Sequence, residues 1–148
     1  MGILTDIVIA NPDEAAAINA ARGQHLKRWV CLESKGVDTI KLGTLSQILA
    51  GRSIDDIDMV ASFMTNGILD QASDEGPWVF LVPGELQLAL AVLDQEMEKR
   101  VAEKWAATEE FRLDRWGATD VQQYLHNLVA HARKAKDANK QLLLWMSL

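Results

Sequence analysis

The densest mixture of aromatic rings and opposite charges lies between Glu103 and Trp116, reading Glu103-Lys104-Trp105 and then Glu109-Glu110-Phe111-Arg112-Leu113-Asp114-Arg115-Trp116. Two chemistries suit it. Carboxylates brought together can do general acid–base work, and Glu110 and Asp114 share a face if one helix runs through both. Tryptophan and arginine dominate binding hot spots, so Trp105, Glu109, Glu110, Arg112, Asp114, Arg115 and Trp116 form the candidate binding set. Against both stands a plainer role. Trp105 and Trp116 would plug the core at a helix end while the charges pair locally.

A second feature is acidic. No basic residue occurs between Arg52 and Lys99, while ten acids do, among them Asp55, Asp56, Asp58, Asp70, Asp74 and Glu75. If these share a face, that face would steer a basic partner. A merely solubilising surface has the same composition.

Other chemistries lack their signatures. His126 and His131 are five apart, so at about 100° per residue they diverge by about 140° on a helix and do not chelate one ion. Asp55-Asp56-Ile57-Asp58 lacks the spacing and glycine of a calcium loop. Cys31 lies on an apolar alternation, which is usually core. Ser46, Ser53 and Ser73 carry no nucleophile-elbow pattern, and the glycines form no phosphate loop. No metal, cofactor or catalytic residue is expected.

The composition sets the frame. The chain has 148 residues, 49% apolar and 24% charged, with a net charge of -6. These values fit one globular domain over residues 1–148 and exclude disordered and fibrous classes. The acidic balance argues against nucleic acid. One cysteine excludes an internal disulfide framework. Met1-Gly2-Ile3-Leu4-Thr5-Asp6 lacks the features of a signal peptide, and no apolar run approaches the ~20 residues of a membrane span. A cytoplasmic protein is expected, without membrane contact.

The elements that must position the candidates follow from pattern. Ile3–Ala10 is rich in β-branched residues and predicts a strand. Asn11-Pro12-Asp13-Glu14 predicts a helix start, and Gly23 its stop. Lys27–Glu33 predicts a second strand. Leu42, Leu45 and Leu49 predict a helix capped by Thr44 and Gln47, ending at Gly51. Ser53 predicts another helix start, and 70–77 an exposed loop. Trp78–Val82, between prolines, predicts a buried strand. Leu86, Leu90, Leu93, Met97, Val101 and Trp105 predict one long helix from about Pro83 to Ala107. Thr119 and Gln122 predict the cap of a last helix. Gln141–Leu148 is apolar on both faces and predicts an interior strand. The expected class is α+β, helix-dominant, with a small mixed sheet.

Three patterns resemble the uncharacterised bacterial YfbM-like family. They are the Met1-Gly2-Ile3 strand running into Pro12-Asp13-Glu14, the stretch Val37-Asp38-Thr39-Ile40-Lys41 before Leu45, Leu49 and Gly51, and the closing helix Tyr124–Ala135 with its apolar tail. Leu42 stands where that family has a tryptophan, and Trp116-Gly117 where it has a tyrosine-proline element. The resemblance implies an α+β domain and supplies no activity.

Small size, acidity and the lack of a catalytic signature favour a binding or regulatory module for a protein partner of basic character, in the manner of an immunity protein. An enzyme using carboxylates within 103–116 is the first alternative. The second is a homodimeric structural subunit whose tail Leu142–Leu148 extends a sheet across the dimer.

Overall fold

The structure is a computed structural model that describes residues 3–51 and 67–148. The expected helix from Ser53, with Asp55, Asp56 and Asp58, lies outside the described residues.

Strands β1 (Leu4–Ala10), β2 (Val30–Glu33), β3 (Ile68–Gln71), β4 (Trp78–Leu81) and β5 (Gln141–Ser147) form one sheet in the order β2-β1-β5-β4-β3. The class is α+β as expected, and the apolar C-terminal segment is its central strand. Every neighbouring pair is antiparallel, so the sheet is not mixed. Because β5 is hydrogen-bonded to β1 on one side and β4 on the other, it has no free edge to offer a second copy. The tail therefore cannot extend the sheet across a dimer.

Strand alternation sorts the side chains onto two unequal faces. Ile7, Ile9, Phe80, Leu142 and Leu144 pack on the major face. They meet helices α3 (Thr39–Ala50), α4 (Gly84–Ala91), α5 (Gln95–Ala106) and α7 (Ala118–Asp137), through buried residues such as Leu45, Leu90, Trp105 and Leu125. Burying each such side chain contributes about 1.5–3 kcal/mol. The lesser face carries Val8, Val79, Leu143 and Trp145, packed against Ala15 and Ile18. Among the described residues its cover is short, consisting of a single turn at Pro12–Glu14, α1 (Ala15–Ala20) and α2 (His25–Arg28). The register sets one row across this face: Glu33, Asp6, Trp145, Val79 and Asp70, one from each strand.

Local chemistry moves several boundaries. Residues 25–28 form α2, so β2 begins only at Val30. Asp38, not Thr44, caps α3, its carboxylate accepting from the Lys41 amide at 3.0 Å. Asp70 and Gln71 lie in β3 rather than in a loop. The expected long helix is two. Asp94 accepts from the Met97 amide at 2.8 Å and so starts α5 afresh. The Arg133 guanidinium donates to the carbonyls of Ala91 and Leu93 at 3.1 and 2.6 Å, which satisfies the end of α4. The restart turns Met97 outward, leaving it 44% exposed. Helix α7 begins after Gly117, whose amide donates to Asp120 at 3.0 Å, not at a Thr119–Gln122 cap. Among the described residues, no helix is long and apolar enough to cross a membrane.

His131 ties α7 to β1, donating from Nε2 to the Ile7 carbonyl at 2.8 Å. Burial holds its pKa below the ordinary 6.5, and Lys134 adds to that, although the Ile7 bond works the other way. Unfolded His131 would take a proton near 6.5, whereas the folded ring resists it. Its contribution is therefore complete above about pH 6.5 and falls as pH drops through that value, by at most about 1.4 kcal/mol per pH unit. Denaturant unfolding between about pH 7.5 and 5.5 should show this loss, and His131→Gln should flatten it. Asp6 acts in the opposite sense at lower pH. Burial raises its pKa despite His25, so its contribution is greatest below 3.8 and is lost as pH rises through the raised value.

Candidate functional site

The site is built around a buried lysine. Lys41, on α3, is 4% exposed. It occupies the apolar spacing Lys41, Leu45, Ile48, so the helix carries it inward. A buried ammonium must be paired and hydrogen-bonded. Here Nζ bonds Asp114, donates to the Gly36 carbonyl at 2.9 Å, and lies 5.4 Å from the centre of the Phe111 ring. Trp105, fully buried, donates from Nε1 to the Lys41 carbonyl at 2.9 Å, fixing α5 to α3.

Asp114 reaches Lys41 because helix α6 (Glu109–Leu113) ends one residue earlier. Arg115 then turns left-handed at φ 60° and Trp116 folds back. The half-buried indole of Trp116 lies 5.1 Å from Phe111 and 5.8 Å from Tyr124, edge-on to the latter. Aromatic pairs in such arrangements are favourable beyond their buried area. Tyr124, on α7, donates to Ser34 Oγ at 2.7 Å, and Ser34 donates to the Leu32 carbonyl at 3.0 Å. Burial drives the Tyr124 pKa well above 10.0, so it remains a neutral hydroxyl; the Ser34 bond offsets this only in part.

These contacts leave an open cleft of about 500 Å³ between the β2–α3 turn and the α6–α7 turn. Glu33, Ser34 and Lys35 form one wall, and Asp114, Arg115 and Trp116 the other. Along its length, α7 contributes Asp120, Gln123 and Asn127. The cleft therefore offers both charge signs, amide groups and one aromatic flank. Such a set recognises an extended polar chain better than an apolar molecule.

The candidate binding set is only partly gathered here. Asp114, Arg115 and Trp116 line the cleft, while Trp105 lies beneath it as core. Glu109 and Arg112 are exposed and Glu110 is half-buried, all on α6 and none in the cleft lining. Asp114 caps the helix that holds Glu110, its amide donating to the Glu110 carbonyl at 3.2 Å, but its carboxylate is engaged by Lys41. Of the acidic stretch, Asp74 and Glu75 are exposed between β3 and β4, whereas Asp70 faces the lesser side of the sheet and accepts from Asn19 Nδ2 at 2.8 Å. No local pattern marks Lys41, Ser34, Tyr124, Gln123 or Asn127 as members of a site. Lys41 alone among them carries a signal of burial, a cation at an apolar helix position.

Among the described residues no group of three or more His, Cys, Asp and Glu could hold a metal ion. Cys31 is half-buried, and its thiol is pushed up to about 12 by burial first, then by Asp6 and Glu33. A thiol so protonated is a poor nucleophile. No protein family, curated protein or solved structure matches the chain.

Proposed function

We propose that the chain is a small binding or regulatory module that engages a protein partner through the Arg115–Trp116 cleft. The observation that carries this reading is the placement of Arg115 and Trp116 together on the rim of one polar cleft, backed by the Lys41–Asp114 pair. Arginine and tryptophan are the side chains that most often dominate an interface. The rim needs little reordering to bind, since Trp116 already packs against Phe111 and Tyr124. The net charge of -6 favours a partner with basic character, in the manner of an immunity protein, acting in the cytoplasm. A reading as an acid–base enzyme is less well supported, because Glu109 and Glu110 lie outside the cleft and Asp114 is held by Lys41.

The test is retention of a partner on the immobilised chain, compared with Arg115→Ala and Trp116→Ala. Each substitution should weaken retention at least about tenfold, the usual scale of a hot-spot truncation. Rising salt should weaken it as well. A partner retained equally by both variants would refute the cleft as the binding surface.

A further inference from the structure

The lesser face of the sheet holds unsatisfied polar groups that the cleft does not use. Among the described residues, Asn19 Oδ1, His25 Nδ1 and Trp145 Nε1 are buried without a hydrogen-bond partner. All three residues are more than nine-tenths buried, at 7%, 1% and 8% exposure. Such groups are costly, and buried polar atoms in native proteins are nearly always paired. Their gathering on one face is therefore a feature that needs a cause.

Two cavities flank them. One, of about 740 Å³, is lined by Asn19, Arg22, Asp70 and Trp145, with Ala16 and Ala20 of α1 leaving room beside them. The other, of about 350 Å³, is lined by Asp6, His25, Glu33 and Trp145. Gly23 and Trp145 line both, so the indole and this turn form the partition between them. The turn runs through Arg22 at φ 49° and Gly23 at φ 85°, and the space beside Gly23 is open. A non-glycine residue in the left-handed region is uncommon.

The chemistry of the larger cavity is complementary in sign. Trp145 Nε1 can only donate, and Arg22 is a second donor carrying positive charge. Together they call for an anionic acceptor. Asn19 already donates from Nδ2 to Asp70 Oδ2 at 2.8 Å and to the Pro77 carbonyl at 3.0 Å, so its amide orientation is set and Oδ1 is left to accept. With the Asp70 carboxylate, it calls for a cationic donor. In the register row, Asp70 and Trp145 are separated only by Val79, two strand spacings or about 10 Å between backbones.

We propose that this cavity binds a small zwitterion of the α-amino-acid class. The ligand carboxylate meets Trp145 Nε1 and Arg22, and its ammonium meets Asn19 Oδ1 and Asp70. Binding displaces the Arg22–Gly23 turn enough to expose the two buried atoms. This site is separate from the cleft and does not depend on it.

The experiment follows the indole N–H resonance of Trp145 by nuclear magnetic resonance, assigned from its loss in Trp145→Phe. The probes are the common L-α-amino acids, each beside its amine-free carboxylic acid and its carboxamide. At least one amino acid should move the resonance saturably, and neither of its controls should. Arg22→Gln and Asp70→Asn should each weaken that binding at least about tenfold, since each removes a charge-assisted contact. If no amino acid moves the resonance, if a control moves it equally, or if the substitutions leave binding unchanged, the proposal fails. Should Asp70→Asn not fold, Arg22→Gln decides alone, because that side chain is exposed.

Discussion

Trp105→Ala is expected to cost about 4 kcal/mol of unfolding free energy, while Trp105→Phe should cost about 1–2 kcal/mol. The indole is fully buried and edge-on to Phe111 at 4.8 Å, with Tyr124 at 6.0 Å. Alanine removes the whole ring and leaves a cavity between α3, α5 and α7. Phenylalanine keeps most of the packing and loses the bond to the Lys41 carbonyl. Since domains are stable by only about 5–15 kcal/mol, the first change is a large share of the total. Denaturant unfolding of the three proteins measures both. Equal losses would show that the ring's packing counts for little. The cleft should also loosen, because Trp105 fixes the carbonyl of the lysine on which Asp114 is seated.

Asp114→Ala is expected to cost about 3 kcal/mol, and Lys41→Met about 1 kcal/mol or less. The asymmetry comes from exposure. Lys41 is 4% exposed, so losing Asp114 strands an ammonium with only the Gly36 carbonyl and the Phe111 face for company. Asp114 is 52% exposed, so losing Lys41 leaves a carboxylate that water can solvate. Methionine also fills the lysine's space with apolar surface. The two variants differ in the cleft as well. Both free the turn that presents Arg115 and Trp116, so both should weaken partner retention even where stability is spared. Unfolding free energies in the reverse order would mean that the pair is not buried as described.

Much of the frame could be read from residue patterns, for physical reasons. Leu142–Met146 is apolar on both faces, which only an interior strand satisfies, and β5 is central. Trp78–Leu81, bounded by prolines, is β4. The helix break does not show in the pattern because Leu90, Leu93 and Val101 keep helical spacing across it. The decisive group is one side chain, Asp94, that caps within the pattern. Strand β3 leaves no clear pattern because it is four residues long and irregular between Ile68 and Asp70. The cleft was half legible. Asp114, Arg115 and Trp116 stood out by type, but Ser34 and Tyr124 are ninety residues apart and meet only through the fold. The row from Glu33 to Asp70 depends on strand register, which no local pattern encodes.

The most direct test of the cleft as the working surface is site-specific photo-crosslinking. A photoreactive residue is placed at Gln123, inside the cleft, or at Lys27, exposed on α2 on the other side of the sheet. A partner that crosslinks from position 123 and not from 27, with the product lost on Trp116→Ala, is the predicted result. A partner that crosslinks from position 27 and not from 123 would contradict the account.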